Sequence, residues 1–194
     1  MTTIYLVRHG QASFGKSNYD ELSQNGEAQA TLLGRYFKDI LKEQPYVVAG
    51  TMQRHLQTAQ GALKESFPET TIHTDAGWNE FNHQQVFAQY EPRFKQPELL
   101  KADVAKEANP RAYLAKIFEG AITRWTDGEF HHEYDESWPD FKQRVETALQ
   151  KLCDELAQTK PRYAVVFTSG GVISVAVGKI MELSINHTFA SVSY

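Results

Sequence analysis

Three short segments carry residue types that can do chemistry together. They are Arg8-His9-Gly10, Gly50 to Arg54, and Thr168 to Gly171. Each follows a short apolar run that reads as a strand. Two of them supply an arginine. A guanidinium stays charged at any working pH, and its planar fork of donors matches phosphate oxygens. Arg8 and Arg54 aimed at one crevice would clamp a phosphate. At about 4 Å and an effective dielectric near 20, each charge pair contributes about 4 kcal/mol before desolvation. A histidine beside that clamp can also react. Neutral imidazole is a nucleophile, and a covalent intermediate splits one hard step into two easier ones. The neighbouring Arg8 and Arg54 charges would disfavour protonation of His9. A backbone or carboxylate acceptor on its second nitrogen would set the attacking tautomer.

The elements that must position these groups follow from patterning. Thr3 to Val7, Tyr46 to Ala49, Thr70 to Thr74 and Tyr163 to Phe167 read as strands, the first two and the last buried. Asn25 to Glu43 reads as a helix, with Ala28, Leu32, Leu33, Tyr36, Phe37, Ile40 and Leu41 as its apolar stripe. Further helices are expected over about 53–65, 110–125 and 172–183. Ser137-Trp138-Pro139-Asp140 is a capping box, opening a helix buried along Phe141, Val145, Ala148, Leu149, Leu152 and Leu156, with Cys153 on the same side. Val86 to Ala108 is polar and contains two prolines. Strands alternating with helices predict an α/β fold, a mostly parallel central sheet flanked by helices in three layers. Ligands of such sheets bind beyond the carboxyl ends of the strands. The expected organisation is one domain over 1–194, with a helical insertion at about 83–130 over the site.

The residues resemble the histidine phosphatase superfamily, which includes the phosphoglycerate mutases. Leu6-Val7-Arg8-His9-Gly10-Gln11 is similar to its Arg-His-Gly signature. Leu22-Ser23-Gln24-Asn25-Gly26 resembles the segment opening its first helix, and Thr51 to Ala59 its Ser-x-x-x-Arg-x-x-Gln-Thr-Ala block. Trp78-Asn79-Glu80-Phe81 stands where the family places Leu-x-Glu, and Glu136-Ser137 with Arg144-Val145 is also similar. The blocks keep their order from residue 4 to about 183. The resemblance implies a phosphoryl acceptor at His9 and phosphate binding by Arg8 and Arg54. It implies that Glu80 protonates the leaving oxygen and then acts as base for water. That role needs a carboxyl with a raised pKa, which burial would supply. No metal or organic cofactor is implied.

Two departures matter. The family usually reads Ser-His-Gly-Gly after its last core strand, whereas this chain reads Thr168-Ser169-Gly170-Gly171. Ser169 replaces the second catalytic histidine, so a charged phosphate donor becomes a neutral hydroxyl. Losing one such donor typically costs about 2.7–4 kcal/mol, or 10²–10³ in rate. His83 is a candidate substitute. Ser169 is expected either to bind the phosphate through its hydroxyl or to cap the following helix. Second, Thr188 to Tyr194 reads as an edge strand where the family commonly continues with another, and an exposed edge invites pairing into a homodimer.

Two functions stay open: a phosphatase acting on a small phosphate ester or phosphoprotein through phospho-His9, and a non-catalytic or weakly active phosphate-binding module. In the second, restoring the histidine by Ser169→His should raise activity or affinity. A mutase fits less well, because the chain shows no longer mutase architecture. A serine hydrolase would want Gly-x-Ser-x-Gly around Ser169, and position 167 is Phe. Adjacent His131 and His132 lack metal-ligand spacing. His55, His73 and His187 are expected to be ordinary surface or partly buried residues. The 194 residues carry a net charge of −4, which argues against nucleic acid as a partner. No apolar run reaches membrane-spanning length, and the start lacks a basic leader, so the expected location is the cytoplasm.

Overall fold

The computed structural model describes residues 1–13, 20–182. The expected strand at 188–194 and His187 lie outside them. The described residues form two compact units, one of those in 1–80 with 144–182 and one of residues 81–143.

The first unit holds a parallel four-stranded sheet of β1 (Thr3–Arg8), β2 (Tyr46–Ala49), β3 (Ile72–Thr74) and β4 (Tyr163–Thr168), in the order β1-β4-β2-β3. Strand β4 is buried at all six positions. That explains its unbroken apolar run: a strand covered on both faces has no polar side to show. Strand β1, expected to be buried, is half-buried to exposed along its length. Among the described strands it pairs only with β4.

Helices α1 (Gln24–Ile40) and α2 (Gln53–Ser66) pack on each other. Phe37, Leu41, Ala59, Ala62 and Leu63 meet Val47, Ala49, Val165 and Phe167 of the sheet. The intervening Val48, Ala164 and Val166 point to the opposite face and are buried as well. The expected α1 stripe is partly wrong, since Leu32 and Tyr36 are 61% and 58% exposed. The buried face instead runs through Gly26, Ala30, Gly34 and Phe37. Small residues win there because the helices nearly touch: a Cβ on Gly34 would come within 2.2 Å of the Ala62 carbonyl oxygen. The pattern of large apolar residues missed a face built from small ones.

Helix α6 (Trp138–Thr159) opens on the expected box, Ser137 Oγ donating to Asp140 Oδ2 at 2.5 Å. Its stripe Phe141, Val145, Ala148, Leu152 and Leu156 is buried. Cys153 is exposed, contrary to expectation, because it sits one helical step beyond Leu152. Helix α7 (Gly170–Ile180) begins directly after β4, two residues earlier than expected.

The second unit is helical, with α3 (His83–Tyr90), α4 (Pro97–Lys106) and α5 (Pro110–Thr126). Pro97 and Pro110 stand at helix starts, where a missing N–H costs nothing. The polar stretch 86–108 is therefore largely helix. Phe81, Trp125, Trp138 and Phe141 form an aromatic cluster with ring centroids 4.6 to 6.0 Å apart. No described helix is long and apolar enough to cross a membrane.

Candidate functional site

Sheet register brings three strand ends together in the first unit. Arg8 is opposite Thr168, and Ala49 is opposite Phe167. His9 and Ser169 therefore leave adjacent strands side by side. The backbone ties them: His9 N donates to the Thr168 carbonyl at 2.9 Å, and Gly50 N to the Phe167 carbonyl at 3.0 Å.

His9 Nδ1 lies 2.7 Å from the Gly10 carbonyl oxygen. A carbonyl only accepts, so Nδ1 carries the proton and Nε2 keeps a lone pair. Gly10 cannot be replaced cheaply, because a Cβ there would lie 2.5 Å from the Gly26 carbonyl oxygen. The Gly10 N–H is held in turn by Thr58 Oγ1 at 3.0 Å. The His9 pKa is lowered to about 4, chiefly by burial and also by the charges of Arg54 and Arg8, against the Gly10 bond and Asp20, which raise it. The expected arginine effect is present, but desolvation is the larger cause. His9 is neutral near pH 7.

Arg54 sits in the first turn of α2 and is 4% exposed. Its Nε donates to His9 Nε2 at 3.3 Å, and its Nη1 to Asp20 Oδ1 at 2.5 Å. The other Asp20 oxygen accepts the Gln53 N–H at 2.7 Å. One guanidinium thus touches both the imidazole and a carboxylate. Asp20 was not identified from sequence; it lies in a segment without periodicity. Arg8 ends β1 exposed, close enough to His9 to act on its charge.

Glu80 Oε2 accepts the Gly171 N–H at 3.1 Å, in the first turn of α7. The turn before Glu80 is pinned from two sides. Thr168 Oγ1 donates to the Trp78 carbonyl at 2.5 Å. Arg144 Nη1 donates to the carbonyls of Gly77 at 3.0 Å and Asn79 at 2.9 Å. Arg144 was legible as part of a motif, but its task of fixing the loop that carries Glu80 was not.

Ser169 is fully buried, and its side chain does not cap α7. Its Oγ lies 2.6 Å from His55 Nε2 instead. His55, expected to be ordinary, is 0% exposed. Its ring centroid is 5.6 Å from that of His9. The signal that could have found it is simple: His55 directly follows Arg54, on the same helical turn and the same buried side. His83 opens α3, in the second unit, where its ring meets Phe87 edge-on with centroids 6.1 Å apart. His73 is exposed and stacks on Tyr46 with centroids 4.8 Å apart. Among the described residues, no group of three or more His, Cys, Asp or Glu side chains is placed to hold a metal ion.

Comparison with known proteins agrees with this fold. The family model of the histidine phosphatase superfamily (branch 1) matches residues 4–191. No curated protein matches the chain. Among solved structures, a phosphoglycerate mutase from Bacillus anthracis str. Sterne is similar at 19% identity and a TM-score of 0.63, covering 95% of this chain and 83% of that one. An alpha-ribazole phosphatase from Shigella flexneri is similar at 20% identity and a TM-score of 0.62, covering 96% and 83%. A mycobacterial glucosyl-3-phosphoglycerate phosphatase gives 19%, 0.59, and 95% and 82%. At these identities the likeness is one of fold.

Proposed function

Because the chain belongs to the histidine phosphatase superfamily, we propose that it is a phosphomonoesterase, acting on a small phosphate ester or phosphoprotein through a phosphohistidine on His9. The observation that carries this reading is the state of His9. Its Nδ1 is engaged by Gly10, it is neutral near pH 7, and Arg54 Nε donates to its unprotonated Nε2. A nucleophile and an anion-binding group at one atom suit attack on a phosphate ester.

In this mechanism the phosphate enters between His9 and the guanidinium groups of Arg54 and Arg8. His9 Nε2 attacks phosphorus, and the ester P–O bond breaks. Glu80 gives its proton to the leaving oxygen. Water then attacks the phosphohistidine while Glu80 takes up a proton, and orthophosphate leaves. The arginines hold the oxygens on which charge is spread. Structural neighbours include both phosphatases and a phosphoglycerate mutase, in keeping with phosphoryl transfer.

A second reading, a phosphate-binding module with little or no turnover, is favoured by Ser169, a neutral group beside His9. A serine hydrolase has one feature in its favour, the 2.6 Å Ser169–His55 bond. Against it, His55 Nδ1 has no carboxylate among the described residues to orient it.

The test is a panel of phosphate esters and phosphopeptides run on wild type and His9→Ala. Turnover that disappears in His9→Ala, with acid-labile phosphate trapped on wild type, supports the enzyme. Unchanged turnover in His9→Ala overturns it. Orthophosphate binding without turnover of any ester favours the binding module.

A further inference from the structure

His55 and Ser169 are both fully buried and bonded at 2.6 Å, and neither has a place in the mechanism above. The His55 ring is neutral, because burial and then the adjacent Arg54 charge push its pKa far below the usual value. A neutral imidazole carries one ring proton, on one nitrogen or the other. Nδ1 has no hydrogen-bond partner among the described residues. It abuts Gly50, where an added Cβ would come within 2.3 Å of it. A proton on Nδ1 would be a buried donor without an acceptor, at a cost of about 1–3 kcal/mol. The proton therefore sits on Nε2 and is donated to Ser169 Oγ. That leaves the serine's own hydroxyl proton uncommitted, since the side chain makes no capping bond to α7.

Resting on the phosphoryl-transfer reading, we propose that His55 is a positioning residue: its Nε2–H fixes the Ser169 oxygen as an acceptor, so that the serine hydroxyl donates to a phosphoryl oxygen beside His9. The placement fits. His9 and Ser169 leave adjacent strands in register, and the His55 ring lies 5.6 Å from the His9 ring. Gly50, at the end of β2, leaves the space His55 needs. The site gains a directed donor without a third cation. Such a donor acts where charge develops on the phosphoryl oxygens, so it should lower the barrier more than it tightens ground-state binding.

The experiment uses the intact protein, a chromogenic aryl phosphate and orthophosphate. Rates of acid-labile phosphate incorporation are measured for wild type, His55→Ala, His55→Gln, Ser169→Ala and the His55→Ala/Ser169→Ala double variant. Orthophosphate affinity is measured by calorimetry and folding by thermal melts. Imidazole nitrogen shifts of wild type report the His55 tautomer by NMR, whatever the activity. The expected result is a rate loss of about 10–100-fold in either single variant. The double variant should be no worse than the singles, orthophosphate affinity should change less than the rate, and His55→Gln should recover part of the loss. A proton on His55 Nδ1, a folded Ser169→Ala with wild-type rate, or losses that multiply in the double variant would overturn the assignment. If wild type takes up no phosphate and binds none, the phosphoryl-transfer reading fails, and this assignment with it.

Discussion

Asp20 and Arg54 are joined at 2.5 Å, and the second Asp20 oxygen takes the Gln53 N–H at the start of α2. The carboxylate occupies donors that a phosphate would need, so an incoming anion competes with it. The Asp20 side chain is 36% exposed, which limits the pair to the worth of a surface bridge, about 0.2–1 kcal/mol. Asp20→Asn keeps the acceptor for Gln53 and removes the charge. Orthophosphate affinity should rise by up to about 5-fold by calorimetry. A fall in affinity would show that Asp20 supports the anion site rather than competing for it.

The state of His9 sets an acid limit to activity. Its pKa of about 4 means that the imidazole is neutral through the neutral range and gains its proton only well below pH 6. The free-enzyme ionisation appears in kcat/KM. On a reactive ester, kcat/KM should stay level from pH 8 to about 5 and fall about tenfold per unit below pH 4. An acid limb centred near 6.5 would contradict the burial of His9.

The same shift ties stability to pH. In the unfolded chain His9 and His55 protonate near 6.5; in the folded chain both do so at lower pH. As pH falls below 6.5, the unfolded state takes up protons first. The stabilisation is complete above 6.5 and is lost progressively toward pH 4 for His9 and toward about pH 2 for His55. The urea midpoint should drop between pH 7 and pH 5, and the drop should be smaller in a folded His55→Gln variant.

Ser169→Ala and Ser169→His should behave differently. The sequence suggested that a histidine at 169 would restore activity. His55 already fills the neighbouring space at 2.6 Å, and both sites are fully buried. Ser169→His alone should lose about 1–3 kcal/mol by overpacking. Adding His55→Ala should return most of that loss, as read from urea unfolding. A single variant as stable as wild type would mean that His55 is easily displaced.

Arg144 holds the turn before Glu80 through carbonyl contacts. Hydrogen bonds from a charged group are worth about 1.5–3 kcal/mol. Arg144→Met should lower stability by about that amount. It should reduce turnover more than orthophosphate affinity, because it releases Glu80 and leaves Arg54 in place. Equal losses in both would place Arg144 in general folding alone.

The α/β class, the four strand positions and the strand-end grouping of Arg8, His9 and Ser169 were legible because short apolar runs and local motifs encode them. The α1 face was not, since Ala30 and Gly34 are buried by close helix approach and carry almost no hydrophobic signal. Nor was His55, whose burial depends on Gly50 and Ser169, residues 5 and 114 positions away. Asp20 reaches Arg54 across 34 positions. Local patterning is blind to such meetings. They are set by strand order, which a single sequence shows only through its motifs.

That strand order also governs when the site can exist. Among the described strands β1 pairs only with β4, Thr3 opposite Tyr163, while β2 and β3 are neighbours in both chain and sheet. A ribosome adding about 5–20 residues per second needs roughly 10–30 s to travel from the first strand to its mate. Throughout that interval the nascent chain carries His9 on an unzipped edge. This grouping of strand ends is thus postponed until β4 has been made.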